Sequence, residues 1–154
     1  MLEILVTLFL LTMWLLASAG VQSSSLQFTK AAQFRTQAVY LATELAERMQ
    51  ANTTSAVRGT YALPIGTAPA DCTTATCLPD DLAAFDLAEW DGRVTAALPN
   101  ASVSVTNPGG VANPITYTIL ISWTDRRTYD SSLTATNESF SYTATKTIFD
   151  SSSL

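Results

Sequence analysis

Residues 1–21, MLEILVTLFLLTMWLLASAGV, form an apolar run with a single carboxylate, Glu3, almost at its tip. No lysine or arginine occurs before Lys30. Between Ile4 and Val21 the polar side chains are those of Thr7, Thr12 and Ser18, whose hydroxyls can bond back to helix carbonyls. At 1.5 Å per residue this stretch spans about 27 Å as a helix, close to the hydrocarbon thickness of a bilayer. A charge at mid-bilayer costs at least about 2.5–3.5 kcal/mol, so a carboxylate there needs a role or a route to water. A cleaved secretory signal would carry a basic lead, a shorter apolar core and a small-residue cleavage site. Here the apolar run continues without a break into a helical pattern.

That pattern is residues 22–52, QSSSLQFTKAAQFRTQAVYLATELAERMQAN. Ala31, Phe34, Ala38, Leu41, Ala42, Leu45 and Met49 recur at steps of three and four, one face of a 3.6-residue helix. The opposite face carries Lys30, Gln33, Gln37, Glu44 and Arg48, with Glu44 and Arg48 in the favourable order for a pair four residues apart. The spacing predicts one helix of about fifty residues, roughly 75 Å long. Its first half is bare and apolar and its second half amphipathic. Propensity is poorest at Ser23–Ser25 beside Gly20.

The 154 residues suffice for one modest core beyond this segment. A net charge of −5, with Lys and Arg scattered singly apart from Arg126-Arg127, argues against nucleic acid or an anionic membrane surface as partner. The absence of histidine removes the usual general base, the Ser-His and Cys-His pairs and the commonest metal ligand. Two cysteines, Cys72 and Cys77, are too few for a structural zinc site, and their spacing is not that of a C-x-x-C redox motif. The sequence therefore predicts no cofactor, no metal and no enzyme.

From Asn52 to Pro79 the composition of Thr, Ala, Gly and Pro reads as an irregular loop. It holds Cys72 and Cys77, either a bridge closing a small loop or two free buried thiols; a head outside the cytoplasm favours the bridge. Residues 79–99, PDDLAAFDLAEWDGRVTAALP, read as a second helix, with Pro79, Asp80 and Asp81 suiting its first turn and Pro99 ending it. Asp80, Asp81, Asp86, Glu89 and Asp91 lack the D-x-D-x-D-G order of a calcium loop and read as a solvated helix face. After Pro99 the period changes to two. Val103 and Val105, then Ile115, Tyr117, Ile119, Ile121 and Trp123, then Phe140, Tyr142, Ala144 and Ile148 alternate with Ser and Thr. These are three half-buried antiparallel strands, joined by a turn at Asn107–Gly110 and a loop around Arg126 to Asn137. Asn52 and Asn137 open glycosylation sequons of a kind that chance supplies often.

The order of long helix, loop with a second helix, and small antiparallel sheet is an α+β, pilin-like architecture. The opening LEILVTLFLLTMWLLA resembles the start of a mature type IV pilin, a short hydrophobic lead followed by one glutamate. QFRTQAVYLATELAERMQAN, the cysteine pair, DLAAFDLAEWDGRVTAALPNASVSV and YTILISW are similar, in that order, to the minor pilin family PilV, the type IV pilus modification proteins. The resemblance covers nearly the whole chain. The opening is common to all pilins and pseudopilins, whereas the Glu-Arg-Met-x-Ala-Asn and Asp-x-x-x-Trp stretches are more specific. It implies a short basic leader ending in glycine ahead of Met1, so that Met1 lies slightly inside the mature chain.

The expectation is therefore a structural subunit in two parts: residues 1–24, a transmembrane and assembly half-helix, and residues 25–154, a periplasmic head. The resemblance implies a minor pilin that helps prime and cap the type IV pilus, with roles in adhesion and twitching motility. Its implied partners are other minor pilins, the major pilin, a prepilin peptidase and the assembly platform. It would rest in the inner membrane before entering the fibre, at its tip. Glu3 would pair with the α-amino group that leader cleavage creates on a neighbouring subunit; the alternative is a carboxylate that snorkels to the interface. A type II secretion pseudopilin shares anchor, glutamate and head. A membrane-tethered binding protein, or an enzyme using Asp86 and Glu89 on an exposed face, is a rival from another class.

Overall fold

The computed structural model describes residues 2–64, 71–127 and 136–150. Two units divide the chain, Met1–Phe34 and Arg35–Leu154. Helix α1, Leu2–Ala51, begins in the first and supplies the start of the second. Then follow a single turn, α2 (Thr53–Ala56), a longer helix, α3 (Pro79–Ala97), and three strands, β1 (Ser102–Thr106), β2 (Ile115–Arg127) and β3 (Thr136–Ile148). The result is the expected α+β arrangement of pilin type.

In the second unit α1 buries Ala38, Leu41, Ala42, Leu45 and Met49, the face marked out by the three- and four-residue steps. Phe34, expected on the same face, is only half-buried. The opposing face differs from the expectation. Gln37, Glu44 and Arg48 are half-buried rather than turned to water, because α3 packs along that side and gives Arg48 carboxylates to bind. The join is fixed at Trp90, whose indole N–H donates to the Leu41 carbonyl at 2.8 Å from a fully buried position.

The loop expected from Asn52 onward opens with α2, a helix too short to show a period in the sequence. Asn52 is buried, and its amide donates to the Pro79 carbonyl (2.7 Å) and to the Tyr61 hydroxyl (3.3 Å). That sequon is used up inside the fold. Pro79 starts α3 as expected, with Asp80 and Asp81 in its first turn.

The strands form one antiparallel sheet in the order β1-β2-β3. Ile115, Tyr117, Ile119, Ile121 and Trp123 on β2 are all buried, while Thr116 is exposed and Ser122 and Thr124 are half-exposed. The Asn107–Gly110 turn closes with the Gly110 N–H on the Asn107 carbonyl at 2.9 Å, and Gly110 takes a φ of 66° that favours glycine. The loop expected from Arg126 to Asn137 is shorter than its ends suggest. Both strands run on, pairing Arg126 with Asn137 and Arg127 with Thr136, and the intervening residues 128–135 lie outside the described ones.

Leu45 is fully buried in the head and Leu26, in the first unit, is 65% exposed. Leu45→Ala is expected to cost roughly 2–5 kcal/mol in thermal or denaturant unfolding of the detergent-solubilised chain. Leu26→Ala should leave the transition within about 0.5 kcal/mol.

Candidate functional site: the apolar half-helix and the charged clamp of the head

In the first unit α1 presents bare hydrocarbon. Leu2, Ile4, Leu5, Phe9, Leu10, Trp14 and Leu16 are each more than half exposed. Its most apolar eighteen-residue window has a mean hydropathy of 2.2 and no buried residue. Among the described residues this is the one helix long and apolar enough to cross a membrane. The hydroxyls are absorbed locally, as expected: Thr7 donates to the Ile4 carbonyl at 2.9 Å and Thr12 to the Phe9 carbonyl at 2.8 Å. Glu3 stands in the first turn, where the helix dipole favours a negative charge.

The head carries its polar chemistry where α1, α2 and α3 meet. Arg48 donates to Glu44 on its own helix (2.9 Å) and to Asp86 (2.9 Å) and Glu89 (2.7 Å) on α3. Arg93 of α3 reaches back to Glu44 at 2.5 Å. Asp86 also accepts from the Tyr61 hydroxyl at 2.7 Å. Farther along, Asp80 accepts from Ser55 (2.6 Å) and Arg58 (2.5 Å). Asp86 and Glu89 thus clamp α3 to α1 and Asp80 clamps it to α2, while Asp80 and Glu89 keep the exposure expected of a solvated face. Asp86, by contrast, is 8% exposed. This corrects the reading of Asp86 and Glu89 as an open carboxylate pair, since both are committed to Arg48. No three-residue group of His, Cys, Asp or Glu that could hold a metal occurs among the described residues.

The titrations follow from these contacts. Burial alone would lower the Arg48 guanidinium, but the hydrogen bonds it donates to Glu89, Asp86 and Glu44 outweigh it and hold the cation charged. Glu89 is lowered by its hydrogen bond to Arg48. Asp80 is lowered by Ser55 and then Arg58. Tyr61 is raised by burial and by its bond to Asp86, and burial pushes Tyr117 up to about 12. Tyr117 donates to the Ala56 carbonyl at 2.6 Å, tying β2 to α2.

Cys72 and Cys77 form a disulfide with Cα atoms 5.5 Å apart. The bridge staples the segment leading into α3. Asp71 starts that segment by accepting from the Thr73 amide (3.0 Å) and hydroxyl (2.5 Å). The clamp is what sequence reasoning missed. Arg48 and Asp86 are 38 residues apart, and the local hints were an arginine near the end of α1 and an acidic i, i+3 pair on α3.

Residues 20–88 match the family described as Tt1218-like, type IV pilin Tt1218. That stretch runs from the end of the apolar segment to the middle of α3, taking in Glu44, Arg48 and Asp86 but not Glu89 or Arg93. The match takes in a little under half of the chain and supports a type IV pilin subunit in general terms. No curated protein and no solved structure matches the chain.

The head should lose stability at both ends of the pH scale. Asp80 and Glu89 titrate lower in the folded state than in the unfolded, so their contribution is complete above about pH 4 and is lost as pH falls below it. Tyr61 and Tyr117 titrate higher when folded, so their contribution is complete below about pH 10 and declines as pH rises beyond it. Denaturation midpoints from pH 2 to 12 test this. Arg48→Met should shrink the acid limb by Glu89's share and leave Asp80's, whereas a flat profile from pH 7 to 3 would contradict the pairing.

Proposed function

We propose that this chain is a minor pilin of the PilV kind, a subunit that helps prime and cap a type IV pilus. The observation that carries the reading is α1, whose uncovered apolar half runs in the same helix into the packed core of an α+β head. Such a helix has two solvents. Before assembly the apolar half lies in the inner membrane with the head in the periplasm. In the fibre it lies among like helices, and the transfer costs little because lipid and bundle are equally apolar. Other minor pilins and the major pilin are the fibre partners, and a prepilin peptidase and the assembly platform act on the membrane form.

Glu3 gives the transfer its register. A neighbour's α-amino group, freed by leader cleavage, would neutralise the carboxylate inside the bundle. A subunit one step out of place leaves a bare charge in hydrocarbon, at a cost of about 3–5 kcal/mol. The head contributes contact surface and carries the adhesive or motility role at the fibre tip.

Glu3→Ala tests this directly. The variant should insert and be processed as wild type, yet its recovery in sheared pili, or its capture by other minor pilins, should fall at least about ten-fold. Incorporation at wild-type levels would refute the register role of Glu3. Absence of the wild-type chain from both sheared pili and minor-pilin complexes would refute the pilin reading itself.

A further inference from the structure

β3 is the outermost strand on its side of the sheet among the described residues. Edge strands are normally blunted by shortness, proline, bulges or clustered charge. Thr136–Ile148 is neither short nor interrupted by proline or a bulge, and its two charges, Glu138 and Lys146, stand apart near its ends. It is thirteen residues long, contains no proline or glycine, and pairs with β2 through an unbroken register from Ile148 to Thr136. In an antiparallel strand alternate residues direct N–H and C=O away from the existing partner. β3 therefore presents a second ladder along its outer side.

The two charges on this strand are Glu138 and Lys146, and they stand four residues to either side of Tyr142, the middle residue. We propose that β3 is a self-complementary edge, at which two copies of this chain pair antiparallel about a two-fold axis through Tyr142. In that register Glu138 of each copy faces Lys146 of the other. Tyr142 meets its own counterpart and Phe140 meets Ala144, all on the face that β2 shows to be the core side. On the other face Ser141 meets Thr143, Ser139 meets Thr145, and Asn137 meets Thr147, exposed side chains with no large residue to obstruct them.

Charge complementarity selects this register over its neighbours. Sliding by two residues sets Glu138 opposite Ile148 or Ala144, and sliding by one turns the core side outward. Lys146 lies 4.0 Å from Glu47 on α1 of its own chain, the long limit of an ion pair, and the second copy brings a further carboxylate to it. The two-fold reverses the strand direction, so the contact joins heads that meet from opposite directions. The pairing does not depend on the pilin reading.

Full-length protein in detergent micelles tests it through cysteines on the exposed face. Ser141→Cys and Thr143→Cys chains are oxidised mildly, separately and as an equimolar mixture. Linked peptides are then read by non-reducing mass spectrometry, the native cysteines being already bridged to each other. The mixture should give a link between positions 141 and 143 at least about five-fold above the dimer links of either protein alone. Lys146→Glu should lower that yield about five-fold, and adding Glu138→Lys should restore it. Equal yields in all three samples, a dimer without the 141–143 link, or indifference to Lys146→Glu would each overturn the proposal.

Discussion

One guanidinium decides how the head is put together. Arg48 reaches from α1 to Asp86 and Glu89 on α3 while holding Glu44 on its own helix, and Asp86 is in turn bonded to Tyr61. The Arg48 and Asp86 side chains are only 22% and 12% exposed, so each would be a costly charge without the other. α3 is thereby set in one register along α1. That register lets Trp90 place its N–H on the Leu41 carbonyl and brings Leu87 and Val94 into the core. Apolar burial supplies most of the driving force, and the clamp selects which of several similar packings is adopted.

The sequence of α1 changes character along its length. From Leu2 to Phe28 its large apolar side chains are exposed; from Ala38 buried positions recur on a 3.6-residue period. A membrane anchor alone has no need of the second half, and a soluble head alone has no need of the first.

What was legible in the residues followed from period. β2 could be read because Ile115 to Trp123 alternate, broken only by Leu120, and one face is buried, so propensity and pattern agree. The buried face of α1 could be read because Leu41, Leu45 and Met49 keep step. The clamp could not, because acids on a helix look alike whether water or a distant arginine neutralises them, and Asp86 meets Arg48 only after the chain has turned back on itself. α2 escaped notice because four residues carry no period. Glu3 is conspicuous in the sequence, but the role proposed for it involves neighbours that a single chain does not contain.

The central claim is that Arg48 and Asp86 act as one unit, and a double-mutant cycle measures it most directly. Arg48→Met, Asp86→Asn and the double variant are compared with wild type by denaturant unfolding of the detergent-solubilised chain. Asparagine keeps the partner for Tyr61 while removing the charge. The expected result is that each single change destabilises the head and the double change costs clearly less than their sum, a coupling of about 1–3 kcal/mol. Strictly additive effects, with coupling below about 0.3 kcal/mol, would contradict it and leave the head held by apolar packing alone.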